Sequence, residues 1–489
     1  MNYLETTISK HSSKTLVSNV KDALANETNI SPNLSIAIND LLTAFSKVCN
    51  TLEQTLALNK QLTDRLELNS ANSSIPPASD PNRLKPTRKK SNKNNGGQKG
   101  HKGNTLKKVE NPDEIITLKL KRHDLPKGNY KITGYETRQV FELIIKRHII
   151  EYQAQILTNE NGKTFVAPFP KGITQQAQYG NKFKAHAVYL SQYQLLPYNR
   201  IQEYFNDQIN TPISQATLVN FNAKAYQLLA QTEQTIKQKL INANVLHVDE
   251  TGVNVGGKRH WLHCASNGQW SHFSINQKRG KSAMDEADIL PHYNKVLIHD
   301  HWKPYYKYQC THGLCNAHHL RELTFAHEQD KQQWANAMAT LLTRINQQVI
   351  EAGGLLSKTQ QQAYRADYHS ILAQAQVQCP PPKKPLKKKR GRIKKSKSRN
   401  LLERLINFEE DVLRFMTNKV VPFTNNQGEN DIRMTKVQQK ISGCFRSTAG
   451  GDMFCRIRGY LSSCKKQGIG ASEAMRGVFE GEVVVFDDG

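Results

Sequence analysis

Two tracts of this 489-residue chain cannot bury enough apolar surface to fold alone, and they bound what lies between them. The first runs from residue 69 to 110 and is rich in Ser, Asn, Pro and Gly; between Asp80 and Glu110 it holds ten Lys/Arg and no acid. The second, 380 to 400, holds eleven Lys/Arg and no acid. A chain of this length divides into two to four units, so both tracts read as basic links. Lys89 and Lys90 in the first, and Lys388, Lys389 and Arg390 in the second, are candidate phosphate contacts. A merely solubilising linker is the plainer alternative.

The whole chain shares the bias, with a formal net charge of +26. An excess of that size predicts a polyanionic partner, because Lys and Arg that neutralise phosphates release condensed counterions. A membrane surface is disfavoured, since no basic amphipathic segment offers a bulky apolar face. No run of about eighteen apolar residues predicts a spanning helix. Met1 to Leu16 lacks the apolar stretch of a secretory signal. The eight irregularly spaced cysteines make no disulfide framework, which fits reduced thiols and a cytoplasmic location.

Residues 1–68 read as helical, capped at Ser31 or Asn33, with a stripe of Leu34, Ile38, Leu41, Phe45, Val48, Leu52, Leu56, Leu62 and Leu66. Packing on the chain itself and self-association into a homo-oligomer both fit that stripe. After the 69–110 link, residues 111–172 read as a small β-rich module, with β-branched runs at Val140 to Ile144 and His148 to Ile156. Residues 173–243 read as a helical DNA-binding or connecting region, broken at Pro197 and Pro212, with Ser214 as a cap.

From 244 to 316 the pattern changes to strands at Val245 to Val255, His260 to Ser266 and Trp270 to Asn276. A short helix over Lys281 to Leu290 and a strand ending at Asp300 follow. That order predicts a mixed α/β layer. Residues 317–424 read as helical around the basic tract, and 425–489 as helical again. No internal repeat is present.

Asp249 follows the apolar Val245, Leu246 and Val248, and Asp300 ends Val296, Leu297 and Ile298. On neighbouring strands the two carboxylates would emerge at one sheet edge, where hard cations find oxygen ligands. Glu429 would add a third from a helix capped by Asn425 or Asn426 and ended by Gly443. Positions 429, 433, 436 and 440 lie within about 60° on a helix, so Arg433, Lys436 and Lys440 continue the Glu429 face toward a DNA backbone. Met434, Val437 and Ile441 form the neighbouring face and are expected to pack on the core. Spacing alone leaves the plainer readings standing: a turn or cap Asp, and a solvated ion-pair ladder.

Longer motifs separate these readings. His-Val-Asp-Glu-Thr-Gly (247 to 252) precedes Arg-His-Trp-Leu-His (259 to 263), and Glu429 lies in the block 425 to 447, from Asn-Asn-Gln-Gly-Glu-Asn-Asp to Ser-Gly-Cys-Phe-Arg-Ser. Together with Asn-Ser-Ser-Ile-Pro-Pro-Ala-Ser-Asp (72 to 80), Gly-Gly-Gln-Lys-Gly-His (96 to 101), Tyr-Glu-Thr-Arg-Gln-Val (135 to 140) and Cys-Asn-Ala-His-His-Leu-Arg (315 to 321), the chain resembles transposases of the insertion-sequence-66 family along nearly its whole length. The resemblance implies a ribonuclease-H-like catalytic domain with a helical insertion, which the 129 residues from Asp300 to Glu429 accommodate. It also implies a catalytic triad of Asp249, Asp300 and Glu429 holding two magnesium or manganese ions. The activity implied is cleavage of insertion-sequence ends and their joining to target DNA in a bacterial, nucleoid-associated setting. Small accessory proteins of the same element are further partners it suggests. The alternatives are a catalytically silent DNA-binding descendant and a nuclease of the same fold without strand transfer.

Two departures mark this chain. Relatives often carry paired cysteines for zinc in the stretch matching 122 to 172, but no Cys lies between Cys49 and Cys264, so that zinc site is expected to be absent. After the second Asp, where the family has a small residue or Gly-Tyr, this chain has His301-Trp302. Cys315 and His318 form one Cys-x-x-His pair; a structural or phosphate-binding role for His318 and Arg321 is preferred to zinc, which lacks a second ligand pair. Trp302 and Tyr305 fit core packing and base stacking equally well.

Overall fold

A computed structural model describes residues 10–27, 30–66, 106–382, 393 and 395–483. They fall into two compact units. One draws on Met1–Lys85 and His312–Asn425, the other on Pro86–Thr311 and Asn426–Gly489.

The chain begins with two helices, α1 (Lys10–Asn26) and α2 (Pro32–Leu66). Ser31 is the cap of α2, its hydroxyl accepting the Leu34 N–H at 3.3 Å, and Pro32 opens the helix where its missing N–H has no cost. The expected stripe is mostly exposed, from Phe45 at 45% to Leu66 at 73%, and it is Leu42 that is buried.

The β-rich module expected over 111–172 is not formed. The segment contains a 3₁₀ turn at Arg122–Asp124 and two three-residue strands, β1 (Ile156–Thr158) and β2 (Thr164–Val166), paired antiparallel. Val140, Leu143, Ile144, Ile149 and Ile150 are all exposed. The residue types favour extended backbone, but a strand also needs a partner edge and a covering layer. Among the described residues these runs have neither.

Four helices follow: α3 (Asn181–Val188), continued by a π turn at Tyr189–Tyr193, then α4 (Tyr198–Ile209), α5 (Gln215–Leu228) and α6 (Ala230–Ile241). Pro197 precedes α4, and Ser214 caps α5 by accepting the Thr217 N–H at 3.0 Å.

A sheet comes next, from β3 (Val245–Val255), β4 (Lys258–Ser266) and β5 (Ser271–Asn276). After the short helix α7 (Lys281–Glu286) it is joined by β6 (Val296–His299). The order is β5-β4-β3-β6, antiparallel except for the parallel β3–β6 pair. The fifth strand, β7 (Thr311–Leu314), starts in this unit at Thr311, which donates to the Lys295 carbonyl at 2.8 Å.

The other unit then takes the chain through α8 (Asn316–Glu328), α9 (Gln333–Glu351), α10 (Lys358–Gln378), α11 (Lys397–Asn407) and α12 (Glu409–Thr417). Their shared faces bury Trp334, Met338, Leu341, Ile345, Tyr368, Leu402, Leu405 and Met416. The chain returns to the sheet unit with α13 (Asn426–Ser442), α14 (Thr448–Lys466) and α15 (Ala471–Glu480). No described helix is long and apolar enough to cross a membrane. The eight cysteines, all among the described residues, form no disulfide.

Three cores hold the sheet unit together. Val188, Ile201, Phe205, Leu218 and Phe221 meet Ile457, Leu461, Met475 and Val478, so α3 to α5 share one core with α14 and α15. On one sheet face Leu246, Val248 and Leu297 pack with Ile236, Leu240, Met284 and Tyr305. On the other, Val253, Val255 and Leu262 meet Ile432 of α13 and Phe454 of α14.

Candidate active site

Strand pairing brings two of the acidic residues together. In the parallel β3–β6 pair, Val245 lies opposite Val296, Leu246 opposite Leu297 and His247 opposite Ile298. Continued by two residues, that register sets Asp300 level with Asp249. Side chains alternate along a strand, so both carboxylates fall on the same face. That face is also the one of Val253 and Val255, against which α13 packs. Asp249 is not at a strand end: β3 runs on to Val255 beside β4, while β6 stops at His299.

Backbone donors hold both carboxylates. Asp249 Oδ1 accepts the N–H of Glu250 at 2.9 Å, and Asp300 Oδ1 accepts that of Trp302 at 2.9 Å. Between Asp300 and Trp302 the chain turns sharply, with His301 at φ +74°, in the left-handed region that favours glycine. His301 donates its own N–H to His299 Nδ1 at 3.1 Å. A side chain held in that strained state beside a carboxylate is common at functional sites.

Glu429 is half-buried in the first turn of α13, where the helix dipole favours an acid. Its charge is felt at Asp249. Burial first, then the charges of Glu250, Asp300 and Glu429, push Asp249 up to about 8, against the pull of the Glu250 N–H. Asp249 on β3 thus feels the charges of Asp300, past the end of β6, and of Glu429 on α13.

The helix carrying Glu429 is fixed at several points. Ile432 is buried, and Met434 and Val437 pack beside it. Ile441, expected in the same core, is 46% exposed, because the helix is ending there. Gly443 closes α13 at φ +75°, its N–H bonded to the Gln439 carbonyl at 2.9 Å. Phe445 then pairs with β3, donating to the Asn254 carbonyl at 3.0 Å and accepting from Gly256 at 2.8 Å.

The expected cationic face divides. Arg433 and Lys440 are exposed. Lys436 instead turns inward and donates to the Gly252 carbonyl at 3.0 Å, beside Gln439 at 3.2 Å. Burial and the nearby Arg259 hold its pKa down, while Asp249 acts in the opposite sense. It serves the β3 backbone rather than a solvent-facing surface.

His318 and Arg321 belong to the other unit, half-buried in the first two turns of α8. There Cys315 Sγ accepts the Asn425 N–H at 3.1 Å. Lys89, Lys90, Lys388, Lys389 and Arg390 lie outside the described residues.

Sequence reasoning passed over a second carboxylate. Glu250 follows Asp249 on the opposite face of β3, with a side chain only 2% exposed. Arg279 grips its Oε1 through Nε at 3.0 Å and Nη2 at 2.5 Å, and the Tyr305 hydroxyl donates to Oε2 at 2.5 Å. Burial and Asp300 raise the Glu250 pKa, and these hydrogen bonds lower it. Tyr305 is thus a core residue, fully buried with its hydroxyl spent on Glu250. A Glu on the strand face that Leu246 and Val248 begin was the available signal.

The family model described as the transposase IS66 family matches residues 176–453, more than half the chain. A family of unknown function (DUF6444) matches residues 24–107. No curated protein matches the sequence. On the strength of the first of these, the chain belongs to the IS66 family of transposases.

Proposed function

We propose that this protein is a DNA transposase of the DDE type, with Asp249, Asp300 and Glu429 as the triad in a ribonuclease-H-like domain. The observation that carries the reading is the buried Asp249 carboxylate, lifted to about 8 by burial first and then by the charges of Glu250, Asp300 and Glu429. Buried like charges repel, and a cluster that pays this energy is explained by a cation it awaits. An all-oxygen donor set suits magnesium or manganese, two ions in this reading. Bound there, the metals would supply Lewis-acid charge to an attacking hydroxyl and to the leaving oxygen of a phosphodiester. The mixed sheet, with three antiparallel strands and a parallel fourth that leads into the second Asp, supports the domain assignment.

The residues divide the remaining work. Asp249 and Asp300 are each held through one oxygen by the Glu250 and Trp302 amides, which leaves the second oxygen of each to bind a cation. Glu429 closes it from α13. Exposed Arg433 and Lys440 on that helix lie where a phosphate backbone would need neutralising, and the +26 net charge draws DNA in from a distance. Cleavage of insertion-sequence ends and joining to target DNA are both in-line displacements at phosphorus, so one site can serve both.

The test is Asp249→Asn on DNA carrying the inverted repeats that flank the gene. The variant should bind as the wild type does and cut at least about a hundredfold more slowly in magnesium. Wild-type cleavage by the variant would remove the triad assignment. Strand transfer from pre-cleaved ends distinguishes a transposase from a nuclease of the same fold.

A further inference from the structure

Arg279 is held in an unusual way for the counter-ion of a buried acid. Its Nε and Nη2 edge is spent on Glu250 Oε1. Its guanidinium carbon lies 4.6 Å from the Trp261 ring centroid and 4.4 Å from that of Trp302, so it bridges two indoles. Yet the Arg279 side chain stays 39% exposed while its carboxylate partner is 2% exposed. The Nη1 amine makes no hydrogen bond among the described residues. Neutralising Glu250 requires one edge only; it needs neither the indoles nor the exposed far edge.

The mount is built from the sequence neighbours of both aspartates. Glu250 follows Asp249, and Trp302 stands two residues after Asp300 with its N–H on that carboxylate. Trp261 pairs with Gly252 across β3 and β4. Gly252 leaves room for Arg259, whose guanidinium lies where a Cβ would stand and also over Trp261, 5.2 Å from its centroid. Stacking and the ion pair restrain a side chain that otherwise loses much rotamer freedom on binding. A planar guanidinium presented this way matches a phosphate.

We propose that Arg279 binds a phosphate of the DNA that this protein engages, from the sheet face opposite Asp249, with Trp261, Trp302 and Glu250 as its fixed mount. The proposal rests on the reading of the chain as a DNA transposase, and it adds a backbone contact outside the triad. Through its exposed edge Arg279 contributes one charge to the phosphate track while the other edge stays on Glu250.

The test uses the full-length chain and a fluorescein-labelled duplex of the flanking inverted repeat, with affinity measured by anisotropy over a range of sodium chloride. Arg279→Gln should weaken binding several-fold and reduce the slope of log affinity against log salt by about 0.9, the value for one phosphate on duplex DNA. The double variant Glu250→Gln/Arg279→Gln removes acid and base together and leaves no orphaned charge in the core. Its slope should stay reduced by the same amount; wild-type affinity and slope in the double variant would show Arg279 to be only a counter-ion and overturn the proposal. Arg279→Lys keeps the charge but loses the planar stack, so it should not restore wild-type affinity. If it does, the mount plays no part and the proposal falls in that form. Asp249→Asn separates the two readings. It should abolish magnesium-dependent cleavage with an unchanged salt slope, so persistent cleavage sinks the triad, whereas an unaltered slope in the double variant sinks Arg279 alone.

Discussion

Asp249 binds a proton in the folded chain that it has released in the unfolded one. Its pKa stands at about 8 against an ordinary 3.8, raised by burial and by Glu250, Asp300 and Glu429. The sign follows from linkage: between those two values the native state holds more protons, so stability falls as pH rises, and the penalty is complete above the folded pKa. In metal-free buffer the melting temperature of the wild type should therefore drop from about pH 5 to about pH 8.5 more steeply than that of Asp249→Asn, each kcal/mol being worth roughly 2–4 °C. Magnesium should raise the wild-type value most at the alkaline end, where no proton competes. Parallel pH curves for the two proteins would mean that Asp249 is not the strained group. The motif around 247 to 252 made Asp249 legible in the sequence, because its neighbours extend a long specific block. Glu250 stands in the same block and was passed over, since only the three-dimensional pairing reveals Arg279 and Tyr305 around it. The His301 backbone was foreshadowed in part. The family prefers a small residue or Gly there, and the φ of +74° gives the reason.

Helix α13 shows what an element needs beyond its own residues. Its end at Gly443 and the inward side chains of Met434 and Val437 were readable from spacing. Its anchoring was not, because the partners come from distant segments. Lys466 of α14 donates to the carbonyls of Asn267 at 2.8 Å and Trp270 at 3.1 Å, to Ser271 Oγ at 2.7 Å, and to Asp431 of α13 at 2.7 Å. One ammonium thus ties the helix of Glu429 to the β4–β5 turn, and both members of the ion pair are nearly buried, 13% and 11% exposed. Removing one partner from such a pair leaves a stranded charge, so Lys466→Met should cost about 3 kcal/mol in urea unfolding. The companion Lys466→Met/Asp431→Asn should recover much of that loss. If the single variant is as stable as the wild type, Lys466 is not the fastening. The strands failed differently. Val245 to Val255 has apolar residues on both sides of a central strand and formed as expected, whereas 140 to 156 has the same residue types without any layer to cover them. Periodicity reports what a segment can do; burial decides whether it does.

At the scale of the molecule, linear order conceals which parts share a core. Val188, Phe205 and Leu218 pack with Ile457, Leu461 and Met475, more than two hundred residues later. No local pattern announces that closure, so the sequence suggested a chain of segments where the fold has two units, one interrupted by the other. The interruption, His312–Asn425, supplies its own interior. The Tyr368 hydroxyl donates to the Leu405 carbonyl at 2.8 Å, Asn316 Nδ2 to Val412 at 3.0 Å and Arg414 Nε to His312 at 2.6 Å. Trp334, Leu342, Ile345, Tyr368, Leu402 and Leu413 are each at most 1% exposed. A segment of this size with a core of its own meets the conditions for folding alone. Residues 312–425 produced as a separate polypeptide should therefore give a helical circular dichroism spectrum and a cooperative thermal transition. Tyr368→Ala, which empties the centre of that core, should lower the transition by about 3 kcal/mol or more, as large aromatic truncations do. A peptide that melts without cooperativity would show that its stability comes from the rest of the chain, and that the interruption is a part of one fold rather than a body inserted into another.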